Sequence, residues 1–355
     1  MVPYCSSSLT NARLSYPTDP AAAWTAIVVF ISNPRAAARI GASGNFQTWD
    51  ERLLGLREVT IFFYPAEEPP ELLATLTQGL EVQPCVGAPQ VEGCDRWSTG
   101  RGHPVLTCRT NVSVPQLYGG SLLQARTNRQ PTFCGDGFVT GEYVLATKWY
   151  TLPMLSAAVM RRFDFFMKLD VDVCFHDQQQ DPELAHMLAH RFRSSELTAH
   201  LVRSGAWFVH TRLQPDNPRC EKGLGSFMAE HVKEHPCAAT PLALQWNSTA
   251  AVLPPVAYGN FVAGWLGFWQ SDRILNFAER WYGYHSGWVH RWTDQQFFMP
   301  ALRVANVSEE RIVSLSYLRY SFFEHTKESH FCDRAHVRRS YIASNSKHAT
   351  NTSAV

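Results

Sequence analysis

Asp170-Val171-Asp172 is the place in the chain where residue types and spacing come nearest to chemistry. Four of the five residues Phe163–Met167 are apolar, and Lys168 and Leu169 lead on to the acids. Read as one strand over Phe163–Phe175, residues two apart point to the same side, so both carboxylates project together. Like charges side by side repel, and burying them unpaired is costly. A divalent cation removes that cost, because Mg²⁺ and Mn²⁺ prefer oxygen ligands and keep positions open for phosphate oxygens. Ligands of open α/β sheets bind at the carboxyl ends of strands. There a metal would neutralise a nucleotide diphosphate and stabilise it as a leaving group. A solvated acidic strand end is the alternative reading of the same triplet. Lys148 and Lys168 are candidates to touch phosphates.

The elements that would position these acids can be read from the pattern. Thr25–Ser32 (TAIVVFIS) is a β-branched apolar run stopped by Asn33-Pro34, and Arg57–Tyr64 (REVTIFFY) repeats it before Pro65. DERLLGL between them is a helix end, and Pro70–Leu80 has apolar residues at helical spacing. This β-α-β-α opening belongs to a doubly wound sheet. From Val82 to Gly137 the periodicity fades. Glu142–Met160 reads as helix interrupted by Pro153, and Asp181-Pro182-Glu183 opens a helix to about Arg193. Ala206–Leu213 reads as strand and Glu221–Glu234 as helix, and Val256–Phe268 is apolar and extended. Ser271–Tyr282 is helical, Thr293-Asp294-Gln295-Gln296 is a capping box for a helix to about Val304, and Arg311–Tyr320 is a last strand.

Composition narrows the class. The 355 residues are 45% hydrophobic and 18% charged, with 32 Lys+Arg against 31 Asp+Glu for a formal charge of +1. A chain whose partner was nucleic acid would carry a basic excess, so that class is disfavoured. The apolar run Ala26–Ile31 is far short of the ~20 residues of a bilayer span, and no basic segment precedes it as in a signal peptide. The chain as given reads as a soluble globular body. None of the nine cysteines forms a CxxC pair, so a zinc ribbon or thioredoxin-type site has no support. Four of them, Cys85, Cys94, Cys108 and Cys134, mark 82–140 as an insertion carrying disulfides, which would need an oxidising compartment. N-x-[ST] sequons begin at Asn111, Asn247, Asn306 and Asn351 and lean the same way.

With these residues in view, the chain resembles the metal-dependent nucleotide-sugar glycosyltransferases of the GT-A fold. More narrowly it resembles glycosyltransferase family 15, the fungal Golgi α-1,2-mannosyltransferases. Leu169-Asp170-Val171-Asp172-Val173 stands where that family has an acid-Pro-Asp-Val element, and Tyr143, Lys148, Trp149 and Thr151 lie along its upstream Y…R-F…S-G segment. Gly259-Asn260-Phe261-Val262-Ala263-Gly264 stands for S-N-F-E-I-G, and Phe268-Trp269-Gln270-Ser271 for the aromatic and serine to which that element leads. Ser286–Asp294 (SGWVHRWTD) matches G-G-F…E-R-W-G-D, and Phe323-Glu324-His325, His330 and Cys332 match G-Y-R-H-x4-H-C. The order holds from about Tyr143 to Cys332, roughly half the chain.

The resemblance implies an α/β, GT-A-like single domain at 23–340, with a Rossmann-like mixed sheet flanked by helices. Residues 1–22 would be an N-terminal extension and 341–355 a disordered tail. It implies Mn²⁺ (or Mg²⁺) on Asp170, Asp172 and His325, since imidazole binds Mn²⁺ readily. Asp294 would lie beside the donor sugar or acceptor hydroxyl, accepting a proton or binding hydroxyls. An acid in the first turn of a helix is also favoured by the helix dipole alone. Arg291 would hold a phosphate or Asp294, and Asn260, Trp292, Lys148 and Lys168 complete the donor site. Ser32 and Asn33 lie where this fold seats the nucleotide base. Of Trp265, Trp269, Trp281, Tyr282, Trp288 and Trp292, some would line an acceptor cleft and most would pack the core.

One departure matters most. Val262 occupies the place of the family's proposed nucleophile, a glutamate, and a valine can neither form a glycosyl ester nor act as a base. The implied activity is transfer of a hexose, mannose from GDP-mannose, to a glycan or glycoprotein in the Golgi lumen. Membrane association would come only through a segment not present in the chain. An inactive nucleotide-sugar or glycan-binding homologue, and a nucleotide-sugar phosphohydrolase, are the alternatives.

Overall fold

The computed structural model describes residues 15–41, 46, 49, 55, 57–81, 92–131, 138–171, 173, 197–216, 218–235, 255–259, 261–290 and 292–314. The expected helix at 181–193, the DERLLGL helix end apart from Gly55, residues 1–14, and everything from 315 onward lie outside them.

The strands are β1 (Thr25–Phe30), β2 (Glu58–Pro65), β3 (Cys94–Ser98), β4 (Pro104–Thr110), β5 (Arg129–Pro131), β6 (Phe138–Thr140), β7 (Phe165–Leu169), β8 (Phe208–His210), β9 (Leu213–Gln214), β10 (Val256–Ala257), β11 (Phe261–Trp265) and β12 (Ile312–Ser314). The helices are α1 (Pro34–Gly41), α2 (Pro70–Leu76), α3 (Leu122–Thr127), α4 (Gly141–Trp149), α5 (Leu152–Ser156), α6 (Leu197–Ser204), α7 (Leu224–Glu234), α8 (Leu266–Trp269), α9 (Asp272–Gly283), α10 (His285–Val289) and α11 (Asp294–Val304). Eight strands form one sheet in the order β12-β8-β11-β7-β1-β2-β4-β3. β1 is parallel to β2 and β7, β2 to β4, and β8 to β12, whereas β11 runs antiparallel to both β7 and β8. The result is a mixed α/β sheet flanked by helices, as the resemblance implied.

Every residue of β1, β2, β7 and β11 is buried, because helices and loops cover both faces. On one face Phe166 and Phe208 stack on Phe298 of α11, at 6.4 and 5.4 Å between ring centroids. Gly264 makes this packing possible: a Cβ there would collide with the Trp269 indole and the Phe166 ring. On the other face Tyr16 meets Phe165 and Trp265 edge-on and donates to the carbonyl of Leu201 in α6. Glu58 pins α6 to β2 by accepting from the Thr198 amide at 3.0 Å and hydroxyl at 2.6 Å.

Two expectations change. β7 ends at Leu169, not Phe175, and Asp170 heads a turn in which the Val173 amide donates to the Asp170 carbonyl at 3.2 Å. Strand alternation therefore stops just before the acids and no longer decides where both of them point. Within 82–140, β3 and β4 extend the main sheet past β2 and are joined by a Cys94–Cys108 disulfide. The Thr293 capping box forms as expected, with the Thr293 amide donating to Gln296 at 2.7 Å.

Candidate active site at the carboxyl end of β7

Alternation along β7 puts Phe166 and Lys168 on the face that α11 covers. Phe166 finds rings there, whereas Lys168 reaches the amino end of α11 and finds charge. Its ammonium lies 2.6 Å from Asp294 Oδ2 and 2.9 Å from Asp170 Oδ1, donates to the Gly259 carbonyl, and sits 4.6 Å from the centre of the Tyr150 ring. The side chains of Lys168 and Asp294 are 2% and 1% exposed, and that of Asp170 is 32% exposed. Burial alone would strip the proton from Lys168, but the two carboxylates outweigh it and hold the ammonium above its ordinary range.

Each partner has a local reason for its place. Asp294 is the first residue of α11, where helix amides and dipole favour an acid. Gly259 lies so close to α11 that a Cβ would sit 2.8 Å from Gln295 Cγ and 3.2 Å from Asp294 Oδ2, which brings its carbonyl within reach of Lys168. Tyr150 accepts from the Phe30 amide at 2.8 Å and donates to the Leu169 carbonyl at 3.4 Å, tying the ends of β1 and β7 together.

The other expected residues fall into two groups. Asp172, Asn260, Arg291 and His325 lie outside the described residues. Lys148 and Trp292 are described, are 0% exposed, and are enclosed by rings. The Lys148 ammonium sits 4.7 Å from the Trp288 ring centre and 5.7 Å from that of Trp281, and donates to the Trp281 carbonyl at 3.4 Å. Burial pushes its pKa down to about 7. Trp292 stacks on Tyr284 at 5.4 Å. Trp265, Trp269, Trp281 and Trp288 are also buried.

Among the described residues no group of three or more His, Cys, Asp or Glu could hold a metal ion. Asp170 fits as one oxygen ligand, partly exposed at a strand end beside the Lys168 ammonium. Val262 is fully buried and lies directly between Lys168 and His210 in strand register.

At the ends of β1 and β2 is a second charged group that the sequence did not single out. Arg126 donates to Glu142 at 2.9 Å and to the Ser32 carbonyl at 2.7 Å, and pairs with Glu68. Burial raises the Glu68 pKa, and Arg126 partly offsets it. Asn33 caps α1, its Oδ1 accepting from the Ala36 amide at 2.8 Å. Arg126 and Glu68 are 58 residues apart, so no local pattern links them.

No family model matches the sequence, and no curated protein matches it. Solved structures do match in fold. The mannosyltransferase Ktr4p of S. cerevisiae superposes with a TM-score of 0.55 at 12% identity, over 86% of this chain and 71% of that one. Its complex with GDP gives 0.52 at 13% identity, over 79% and 66%. Core-mannan synthase A (CmsA/Ktr4) from Aspergillus fumigatus, in a Mn/GDP form, gives 0.52 at 9% identity, over 87% and 76%. The chain therefore has a GT-A-like fold, shared with these mannosyltransferases, as the motif resemblance implied.

Proposed function

We propose that the protein is a divalent-cation-dependent glycosyltransferase that moves a hexose, mannose from GDP-mannose, onto a hydroxyl of a glycan or glycoprotein. The observation that carries this reading is the carboxylate at the carboxyl end of β7 joined through a buried lysine to a second carboxylate at the start of α11. A structural ion pair alone gives no reason for the partly exposed third member, Asp170, at the sheet edge where such folds bind ligands. The GDP and Mn/GDP forms of the fold relatives lend support.

In this reading Asp170, with Asp172 and His325, would hold Mn²⁺, which when bound supplies positive charge to the departing diphosphate. Asp294 would accept hydrogen bonds from sugar hydroxyls, with Lys168 fixing its position. Lys168 itself is committed to two carboxylates and acts behind the site. Arg291 and Asn260, next in sequence to Trp292 and Gly259, would meet the phosphates and the donor. Lys148 and Trp292 would support the site from within the core.

Mn²⁺-dependent release of GDP from GDP-mannose, with and without glycan acceptors, tests this. Asp170→Ala and Asp294→Ala should each lower turnover at least about 100-fold, in the range of lost electrostatic catalytic contacts. Unchanged turnover in Asp170→Ala would overturn the reading. A second reading, a donor-binding homologue without turnover, is favoured by buried, apolar Val262. Donor binding with no glycoside formed across a panel of acceptors would select it, and release of mannose phosphate or GMP would indicate a phosphohydrolase instead.

A secretory-pathway, Golgi-lumen setting belongs to the same proposal. The Cys94–Cys108 disulfide, the disulfide-bonded Cys220 and the exposed sequon residues Asn111 and Asn306 favour it. Among the described residues no helix is long and apolar enough to cross a membrane.

A further inference from the structure

Lys168, Val262 and His210 occupy one cross-strand row: Val262 of β11 pairs with Lys168 of β7 on one side and His210 of β8 on the other. Both pairings are antiparallel, so β7 and β8 run in the same direction and their carboxyl ends share one sheet edge. His210 is the last residue of β8, as Leu169 is the last of β7. Two residues before it, Phe208 stacks on Phe298, which places His210 on the face headed by Asp294. Along this row Val262 presents nothing polar, and His210 is the next side chain able to hydrogen-bond.

Among the described residues no polar group meets Nδ1 of this imidazole, and His210 is 6% exposed. A buried ring nitrogen left unpaired is costly unless something satisfies it. Burial pushes the pKa down to about 4, so the ring is neutral and offers one donor and one acceptor. Other buried histidines with an unpaired nitrogen sit elsewhere. His103 lies beside Thr60 in the edge hairpin region, and His231 packs on Phe277 from α7.

Neighbouring strands lie ~4.8 Å apart, so His210 stands ~10 Å along the edge from Lys168. A hexose attached to a diphosphate held at Asp170 would have to reach a distance of that order. We infer that His210 hydrogen-bonds a hydroxyl of the donor hexose and so helps select the sugar. This rests on the glycosyltransferase reading above and assigns a sugar contact to the strand next to the one where Val262 leaves none.

The test is the calorimetric dissociation constant of GDP-mannose and of each of its monodeoxy analogues, with Mn²⁺ present, for the unaltered protein and for His210→Ala, His210→Phe and His210→Asn. In the unaltered protein one analogue should bind about tenfold more weakly than GDP-mannose, the size of one hydrogen bond. That penalty should shrink to within about twofold in His210→Ala and His210→Phe, and partly return in His210→Asn. His210→Phe keeps a ring against Phe208, so it preserves the test if the alanine variant does not fold. An unchanged pattern of penalties in His210→Phe would overturn the inference while leaving the donor reading intact. Failure of the unaltered protein to bind any of these nucleotides would overturn the donor reading itself, and the inference with it.

Discussion

Replacing Lys168 with methionine isolates the charge arrangement on which the site depends. The two side chains have similar length, so the change removes a charge and little volume. Asp294 is 1% exposed and loses the ammonium that lies 2.6 Å from it. Breaking a buried ion pair by removing one partner costs about 3–5 kcal/mol, because the remaining charge is left uncompensated. The pair with Asp170 adds little to this, since that carboxylate is 32% exposed and water screens it. Urea unfolding at neutral pH, monitored by tryptophan fluorescence, should therefore give Lys168→Met a stability about 3–5 kcal/mol below the unaltered protein. Asp294→Leu should lose less, because Lys168 retains Asp170 and the Gly259 carbonyl. The double variant Lys168→Met/Asp294→Leu should lose at least about 2 kcal/mol less than the sum of the two single losses, the signature of directly coupled residues. A loss below about 1 kcal/mol in Lys168→Met, or simple additivity in the double variant, would refute the buried pair.

The same packing leads to two more expected outcomes. Lys148→Met should raise stability at neutral pH by at most about 4 kcal/mol, since a pKa lowered from 10.5 to about 7 penalises the folded state while loss of the hydrogen bond to the Trp281 carbonyl offsets part of the gain. The unfolded chain binds one more proton than the folded one between those values. Stability of the unaltered protein should therefore rise with pH from about 7 toward 10.5, and urea unfolding across that window should find this rise smaller in Lys148→Met. Gly264→Ala should lower the melting temperature and cost roughly 1–3 kcal/mol, since its Cβ would force apart the Trp269 and Phe166 rings, and calorimetry checks this directly.

What could be read from the sequence was local. The continuous apolar runs of β1 and β2 and the Thr293 capping box depend on residues a few positions apart, and these elements formed where expected. The end of β7 was misplaced because Val171 and Val173 have strand composition, yet the backbone turns at Asp170 to satisfy the Val173 amide. β3 and β4 were invisible in a stretch rich in Gly, Pro and Thr. β4 holds through pairing with β2, which lies far away along the chain, and β3 pairs in turn with β4. At the site, Asp170, Lys168 and Asp294 each stood out separately. That Lys168 joins the other two is a contact across 126 residues, which no spacing rule reports. Tyr150 and Arg126 went unnoticed for the same reason, since an isolated tyrosine or arginine carries no local mark of its partner.

The most direct test of the account is a thermal-shift titration with GDP and UDP, each with and without Mn²⁺. A ligand that binds the folded state raises the melting temperature as its concentration exceeds the dissociation constant. The account predicts a rise with GDP that requires Mn²⁺ and is absent with UDP. It also predicts that the rise is lost in Asp170→Ala. No shift with either nucleotide would contradict it and leave Asp170 as an ordinary acidic strand end.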